Sequence, residues 1–173
     1  MARIRPHGSV VCDAGPIIHL DELGCLDLMK DFHDLLVPEH VREEVLKHRN
    51  VEFEGGEINW IRISHRSPVE EPVRTMCRMF SLDAGEVACL EILSKEPGLI
   101  FLTDDAAARL VSTRLGFRVH GTIGVLVRAI RRNLMETKEV LDALTRLPQV
   151  STLHIKSSLL EEVISRVREE ASL

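Results

Sequence analysis

Short apolar runs alternate with amphipathic stretches along most of the chain. The runs are rich in Val, Leu, Ile and Phe and predict strands, whereas the stretches between them carry apolar residues at helical spacing. Strands are predicted over residues 9–13, 35–37, 59–64, 99–103 and 117–120. We expect the third to lie at an edge, the fourth to be central and the fifth to be the last core strand. This alternation is typical of a mostly parallel sheet with helices on both faces.

The predicted helices begin and end at residues with defined capping chemistry. Pro16 lies near the first turn of the first helix, Gly116 follows the sixth as a C-cap, and Thr122 precedes the seventh as an N-cap. A proline-bearing loop is predicted over 66–71. The seven helices are predicted over 16–23, 26–29, 38–48, 73–80, 83–95, 106–115 and 123–131.

The chain changes character after residue 134. Amphipathic helices are predicted over 137–147 and 157–170, and they are joined through Pro148 and a β-leaning stretch. We expect a single domain in which residues 1–133 form the α/β unit. Residues 134–173 are expected to form an accessory helical extension of that domain.

Composition agrees with one globular domain. The chain has 173 residues, of which 45% are hydrophobic, enough for a substantial core. Only 3% are aromatic and Tyr is absent, so the core must consist mainly of Leu, Val, Ile and Ala. The formal net charge of −5 argues against a general nucleic-acid coat, although it is compatible with a small RNA or DNA site.

The four cysteines show no Cys-x-x-Cys spacing, and we expect buried thiols in a reducing compartment. The first residues contain no apolar leader, and no apolar run approaches the roughly 18 residues that span a membrane. We therefore expect a cytoplasmic protein without a membrane segment.

Carboxylates follow two of the predicted strands directly. Asp13 ends the first run, and the Asp104–Asp105 pair follows the fourth. In open parallel sheets, ligands bind outside the carboxyl ends of the strands. The alternative is helix capping, because Asp is a favoured N-cap. Capping explains one of Asp104 and Asp105 easily, but it explains Asp13 less well, because the predicted helix starts a few residues further on.

Glu44 lies on the apolar face of its predicted helix. Val41, Glu44 and Val45 stand at i, i+3 and i+4, so Glu44 borders the core if the two valines pack inward. The alternative is a boundary glutamate that reaches water with its carboxylate.

Glu86 repeats the pattern in the helix over 83–95, where it shares a stripe with Leu90 and Leu93. The alternative is stronger here, because Asp83 and Glu86 have the spacing of a capping box. Gly85 between them is a poor helix former and indicates a close approach to the backbone.

Several acids that converge on one place favour a divalent metal, because isolated buried charges are costly and a hard cation prefers oxygen ligands. A metal in turn favours phosphate chemistry. The eight histidines show no zinc-binding spacing, and the stretch 121–124 lacks the lysine and the spacing of a phosphate-binding loop.

Five short segments carry these acids and glycines in an order that is specific as a set. They are VCDAGPII at 11–18, VPEHVREEV at 37–45, LDAGEVA at 82–88, LTDDA at 102–106 and LGFRVHGTIGVL at 115–126. Together they resemble the PIN-domain family, in its branch of small prokaryotic proteins similar to VapC toxins. The resemblance covers about residues 9–133.

The resemblance implies a three-layer α/β/α fold with a central, mostly parallel sheet, and a metal-dependent ribonuclease that hydrolyses RNA phosphodiester bonds. It implies an acidic quartet that binds Mg²⁺ or Mn²⁺, with Asp83 assisting. Matched position by position, the quartet is Asp13, Glu44, Glu86 and either Asp104 or Asp105.

The resemblance also implies a homodimer and, for a toxin of a toxin–antitoxin pair, a small antitoxin partner. One departure is Ala14, since many relatives carry Ser or Thr directly after the first Asp. Two alternatives stay open: an RNA-binding regulatory module with little or no turnover, and a Mg²⁺-dependent phosphohydrolase that uses Asp13 as a covalent nucleophile.

Overall fold

A computed structural model describes residues 8–64 and 70–172, and it contains a five-stranded parallel sheet flanked by helices. The strands run in the order β3-β2-β1-β4-β5, and every neighbouring pair is parallel. The predicted three-layer α/β/α fold is therefore confirmed. The strands are β1 (Val10–Cys12), β2 (Leu35–Pro38), β3 (Trp60–Ile63), β4 (Ile100–Leu102) and β5 (Arg118–His120).

The helices connect these strands and continue beyond the last one. A short 3₁₀ helix (Leu26–Asp31) follows the first helix. The α-helices are α1 (Ala14–Glu22), α2 (Glu39–His48), α3 (Val73–Met79), α4 (Ala84–Lys95), α5 (Ala106–Arg114), α6 (Thr122–Arg131), α7 (Thr137–Val150) and α8 (Ser157–Ala171).

The centre of the sheet is fully apolar. Strand β1 is buried along its whole length, because it lies between β2 and β4 and is covered on both faces. The chain runs outward from β1 through β2 to β3 and then crosses to β4 on the other side of β1. The order thus reverses between β1 and β4, which is where open α/β sheets bind their ligands.

Three local predictions were wrong. Strand β5 is an edge strand and is largely exposed rather than part of the core. Thr122 is the first residue of α6 and not its cap, a position taken by Gly121. Pro148 lies inside the last turns of α7 instead of ending it. Residues 66–69 of the predicted loop lie outside the described residues.

The C-terminal helices share the main core. Val140, Leu144 and Leu147 of α7 are completely buried, and Leu160 and Val167 of α8 are almost so. These side chains belong to the same apolar cluster as the central strands.

The cysteines and the helix lengths bear on two further expectations. All four cysteines are buried and form no disulfide, as predicted. Among residues 8–64 and 70–172, no helix is both long and apolar enough to cross a bilayer.

Candidate active site

An open cavity of about 440 Å³ lies at the carboxyl ends of the central strands. It contains all five acids predicted from the sequence, together with a sixth. The acidic side chains that line it are Asp13, Glu44, Asp83, Glu86, Asp104 and Asp105. The structure therefore brings together carboxylates from four separate parts of the chain.

Asp13 is one of the two buried acids of this cavity, with 7% of its surface exposed. Its Oδ1 accepts a hydrogen bond of 2.8 Å from the Ala14 amide, so Asp13 is the N-cap of α1. The expectation that the helix starts further along was wrong. Burial raises the pKa of Asp13 from 3.8 to about 7, and repulsion from Asp83 and Glu44 adds to the rise. Capping and a position in the cavity thus coexist in one side chain.

Thr103 provides the hydroxyl that Ala14 lacks. Its Oγ1 donates to Oδ2 of Asp13 over 2.9 Å, because Thr103 follows β4 directly and β4 is the neighbour of β1. Thr103 is itself completely buried. Both oxygens of Asp13 are therefore oriented by the protein, despite the departure at Ala14.

Glu44 lies on the inner side of α2, as its helical spacing predicts. Val41 and Val45 are completely buried, and Glu44 between them is half-buried and lines the cavity. Burial and the neighbouring charge of Asp83 raise the pKa of Glu44. The carboxylate faces the other acids and not only bulk water.

Glu86 and Asp83 form the capping box at the start of α4. The Asp83 amide donates to Oε2 of Glu86, and the Glu86 amide donates to Oδ1 of Asp83, each over 2.8 Å. Glu86 is nevertheless buried in the cavity wall, with 7% of its surface exposed. Burial raises the pKa of Glu86 to about 8, and the charges of Asp83, Asp105 and Asp13 contribute.

Gly85 lets the first turn of α4 pack tightly against α2. A Cβ there would lie 3.3 Å from Oδ1 of Asp83 and from Cγ2 of Val41, and 3.8 Å from Oδ1 of Asp13. A side chain at this position would therefore crowd Asp83 and Val41, whereas its contact with Asp13 would be an ordinary one.

Asp104 points towards the start of α6. Its Oδ1 accepts from the Thr122 amide over 2.8 Å, and its Oδ2 accepts from the Thr122 hydroxyl over 2.6 Å. Nδ1 of His19 lies 2.7 Å from the same Oδ2. A Cβ on Gly121 would lie only 2.5 Å from Oδ1, so glycine is required for this close approach.

Asp105 faces a different set of neighbours. Its Oδ1 accepts from the Ala108 amide over 2.8 Å and caps α5. Its charge contributes to the raised pKa of Glu86. Asp105 is thus the member of the pair that caps the helix after β4, as was expected for one of them.

The donor set of the cavity suits a hard divalent cation, because it consists of carboxylate oxygens. Within residues 8–64 and 70–172, no group of three or more His, Cys, Asp or Glu side chains is close enough to hold a metal as it stands. The pKa values of Asp13 and Glu86 are raised for one common reason: both carboxylates are buried and close to other carboxylates, which favours their protonated forms.

Sequence reasoning missed the polar residues that support or face the acids. His19 and Thr122 hold Asp104, and Thr103 holds Asp13. His154 lies on the cavity wall, on the segment between α7 and α8. The sequence signal for His19 is a polar residue between Ile18 and Leu20 in the apolar part of α1, whereas His154 carries no comparable signal.

A family model described as "DUF3368: PIN domain" matches residues 9–169. The chain therefore belongs to the PIN-domain family, whose fold is that of nucleases that are generally metal-dependent and act on nucleic acids. The match continues through α7 and most of α8. Neither the curated proteins nor the solved structures contain a significant match. The narrower likeness to VapC toxins stays a prediction.

Proposed function

We propose that this protein is a Mg²⁺- or Mn²⁺-dependent ribonuclease that hydrolyses RNA phosphodiester bonds. The observation that carries the proposal is the position of Asp13. It is a buried carboxylate at the point where the strand order reverses, and five further acids share its cavity. In a PIN domain, this arrangement supports phosphodiester hydrolysis better than a purely structural role.

Four carboxylates are proposed to hold the cation, namely Asp13, Glu44, Glu86 and Asp105. A bound divalent ion supplies a Lewis acid that lowers the pKa of a water molecule and stabilises negative charge on phosphate oxygens. The chain's own contribution is orientation. The Ala14 amide and the Thr103 hydroxyl fix Asp13, and the capping box fixes one oxygen of Glu86. Such fixed side chains reduce the reorganisation that the reaction needs.

Asp105 is preferred over Asp104 as the fourth ligand because its Oδ2 accepts no hydrogen bond from residues 8–64 and 70–172. Oδ2 of Asp104 already faces the Thr122 hydroxyl and His19, and its Oδ1 accepts from the Thr122 amide. Asp105 uses Oδ1 for capping, and its charge acts on Glu86. We assign Asp104 the role of positioning the start of α6 beside the cavity.

Calorimetric titration with Mn²⁺ tests this choice. Asp105→Asn is expected to weaken Mn²⁺ binding at least tenfold, and Asp104→Asn is expected to weaken it less while lowering the melting temperature more. The reverse ranking in Mn²⁺ affinity would assign the ligand to Asp104.

The resemblance to VapC toxins also supports a proposal about the role of the protein in the cell. We propose that the protein acts in the cytoplasm as a homodimer and as the toxin of a toxin–antitoxin pair, with a small protein as its antitoxin. Two features favour the alternative of an RNA-binding module without turnover, namely Ala14 and the acidic net charge of the chain. The hydrogen bond from Thr103 to Asp13 weakens the first of these reasons.

Cleavage of RNA with and without Mn²⁺ tests the ribonuclease proposal. The wild-type protein is expected to cleave single-stranded RNA in Mn²⁺ and to lose activity in EDTA. Asp13→Asn is expected to be inactive, whereas Asp142→Asn, at an exposed site on α7, is expected to retain full activity. Equal cleavage by wild type and Asp13→Asn would reject this site, and RNA binding without cleavage would favour the regulatory module.

A further inference from the structure

The segment between α7 and α8, residues 151–156, is tied to the end of α1. We call it the α7–α8 connector. Oε2 of Glu22 accepts from the Ser151 hydroxyl over 2.9 Å and from the Thr152 amide over 2.7 Å, and Oε1 accepts from the Thr152 hydroxyl over 3.0 Å. Burial raises the pKa of Glu22, but these three donors outweigh it, so the pKa lies below its usual range. A single carboxylate thus anchors the connector.

The anchored connector forms one wall of the acidic cavity. Thr152, Leu153 and His154 line this cavity together with the six acids. The remaining lining residues come from the turns that carry Asp13 and Asp105, and from His19 on α1. The connector therefore lines the same cavity as the acids, where the proposed function places the substrate phosphate.

This cavity is poor in groups that can donate to a phosphate. Among the described residues that line it, there is no Lys or Arg. His19 is engaged with Asp104, and the hydroxyl and amide of Thr152 are engaged with Glu22. His154 is exposed, and within the described part of the chain its side chain makes no hydrogen bond or ion pair.

We propose that His154 contacts the RNA backbone and donates a hydrogen bond to a phosphate oxygen beside the acidic cluster. Glu22 is the positioning residue, because it fixes the connector that carries His154. The proposal deepens the ribonuclease assignment and rests on it. It also assigns a function to the C-terminal helices α7 and α8, because they hold both ends of the connector that would face the substrate.

The test is the affinity of the full-length protein for a fluorescein-labelled single-stranded RNA, measured by anisotropy with Ca²⁺ in place of Mn²⁺. A hydrogen bond to a charged group is typically strong enough that His154→Ala is expected to weaken binding by about tenfold or more. His154→Gln retains a donor and is expected to recover most of the affinity. His33→Ala, at an exposed histidine near the amino end of β2, is the matched control and is expected to bind normally.

Glu22→Ala tests the positioning role. It is expected to weaken RNA binding to a similar extent as His154→Ala, although Glu22 does not line the cavity. Neither variant is expected to change the Mn²⁺ affinity measured by calorimetry, because no proposed ligand is altered. A loss of Mn²⁺ binding in His154→Ala would contradict the assignment to phosphate.

The outcomes separate the two proposals. If the wild type binds Mn²⁺ and cleaves RNA, but His154→Ala binds RNA as tightly as the wild type or more tightly, the role of His154 is wrong and the ribonuclease assignment stands. If His154→Gln is as weak as His154→Ala, the hydrogen-bond role is wrong. If the wild type binds neither Mn²⁺ nor RNA, the proposed function is wrong, and the role of His154 is wrong with it.

Discussion

Replacing Asp13 by asparagine is expected to stabilise the metal-free protein at alkaline pH, although it removes a proposed metal ligand. Asparagine has nearly the same shape as aspartate and carries no charge. Its oxygen can accept from the Ala14 amide, and its amide group can donate to the Thr103 hydroxyl, whose hydrogen is free to rotate. The hydrogen bond from Ala14 is thus preserved, the one with Thr103 is reversed in direction, and the buried charge is removed.

The size of the effect follows from the pKa of Asp13. The folded-state pKa is about 7, against 3.8 for the ordinary group, so the unfolded chain releases this proton at lower pH than the folded protein does. The free energy of unfolding therefore falls as the pH rises from about 4 to about 7. At 1.36 kcal/mol per pKa unit, the full loss is about 4 kcal/mol. Relaxation around the charge recovers part of it, and we expect asparagine to gain about 2 kcal/mol at pH 8, or about 4–8 °C.

Thermal unfolding in EDTA at pH 5 and pH 8 measures this gain. Asp13→Asn is expected to melt above the wild type at pH 8, and the difference is expected to shrink at pH 5, where Asp13 is protonated. Added Mn²⁺ is expected to raise the melting temperature of the wild type and to leave that of the variant nearly unchanged. Asp142→Asn, with an exposed carboxylate, is the control and is expected to change little. A variant that melts below the wild type at pH 8 would refute the claim that Asp13 carries a costly buried charge.

Two further predictions concern the turn before α6 and the C-terminal helices. Gly121→Ala places a Cβ 2.5 Å from Oδ1 of Asp104. We therefore expect the free energy of unfolding to fall by about 1–3 kcal/mol and the rate of Mn²⁺-dependent cleavage to fall at least tenfold. The control Gly98→Ala adds its Cβ in open space and is expected to change neither quantity. Leu144→Ala, at a completely buried site of α7, is expected to lower the free energy of unfolding by about 2–5 kcal/mol in denaturant titrations. The control Leu159→Ala, at a half-exposed site of α8, is expected to lower it by less than about 1 kcal/mol. Similar values for both variants would show that the C-terminal helices are not part of the core.

The sheet could be predicted largely from local pattern. The apolar runs around β1 and β4 are continuous because both faces of a central parallel strand are covered. The same reasoning misplaced β5, since a short run containing Phe117 and Val119 reads as buried whether or not a further strand covers it. The position of a strand in the sheet depends on contacts distant in sequence, which periodicity does not record.

The candidate site was also predicted only in part. Helical spacing placed Glu44 and Glu86 on the inner faces of their helices, and the strand ends placed Asp13 beside Asp104. The different roles of Asp104 and Asp105 could not be predicted. They depend on the hydrogen-bond partners of Asp104, which are 85 and 18 residues away in sequence. His154 could not be found from sequence, because its position in the cavity depends on the anchor at Glu22.

If these acids form one site for a divalent cation, the cation should be visible among them. An anomalous difference map from a crystal of the wild-type protein soaked in Mn²⁺ measures its position. A peak is expected inside the cavity, bonded to a carboxylate oxygen of Asp13 and shared with Glu86 or Asp105. A fully soaked crystal without a peak at Asp13, or with Mn²⁺ only at exposed surface carboxylates, would contradict this expectation.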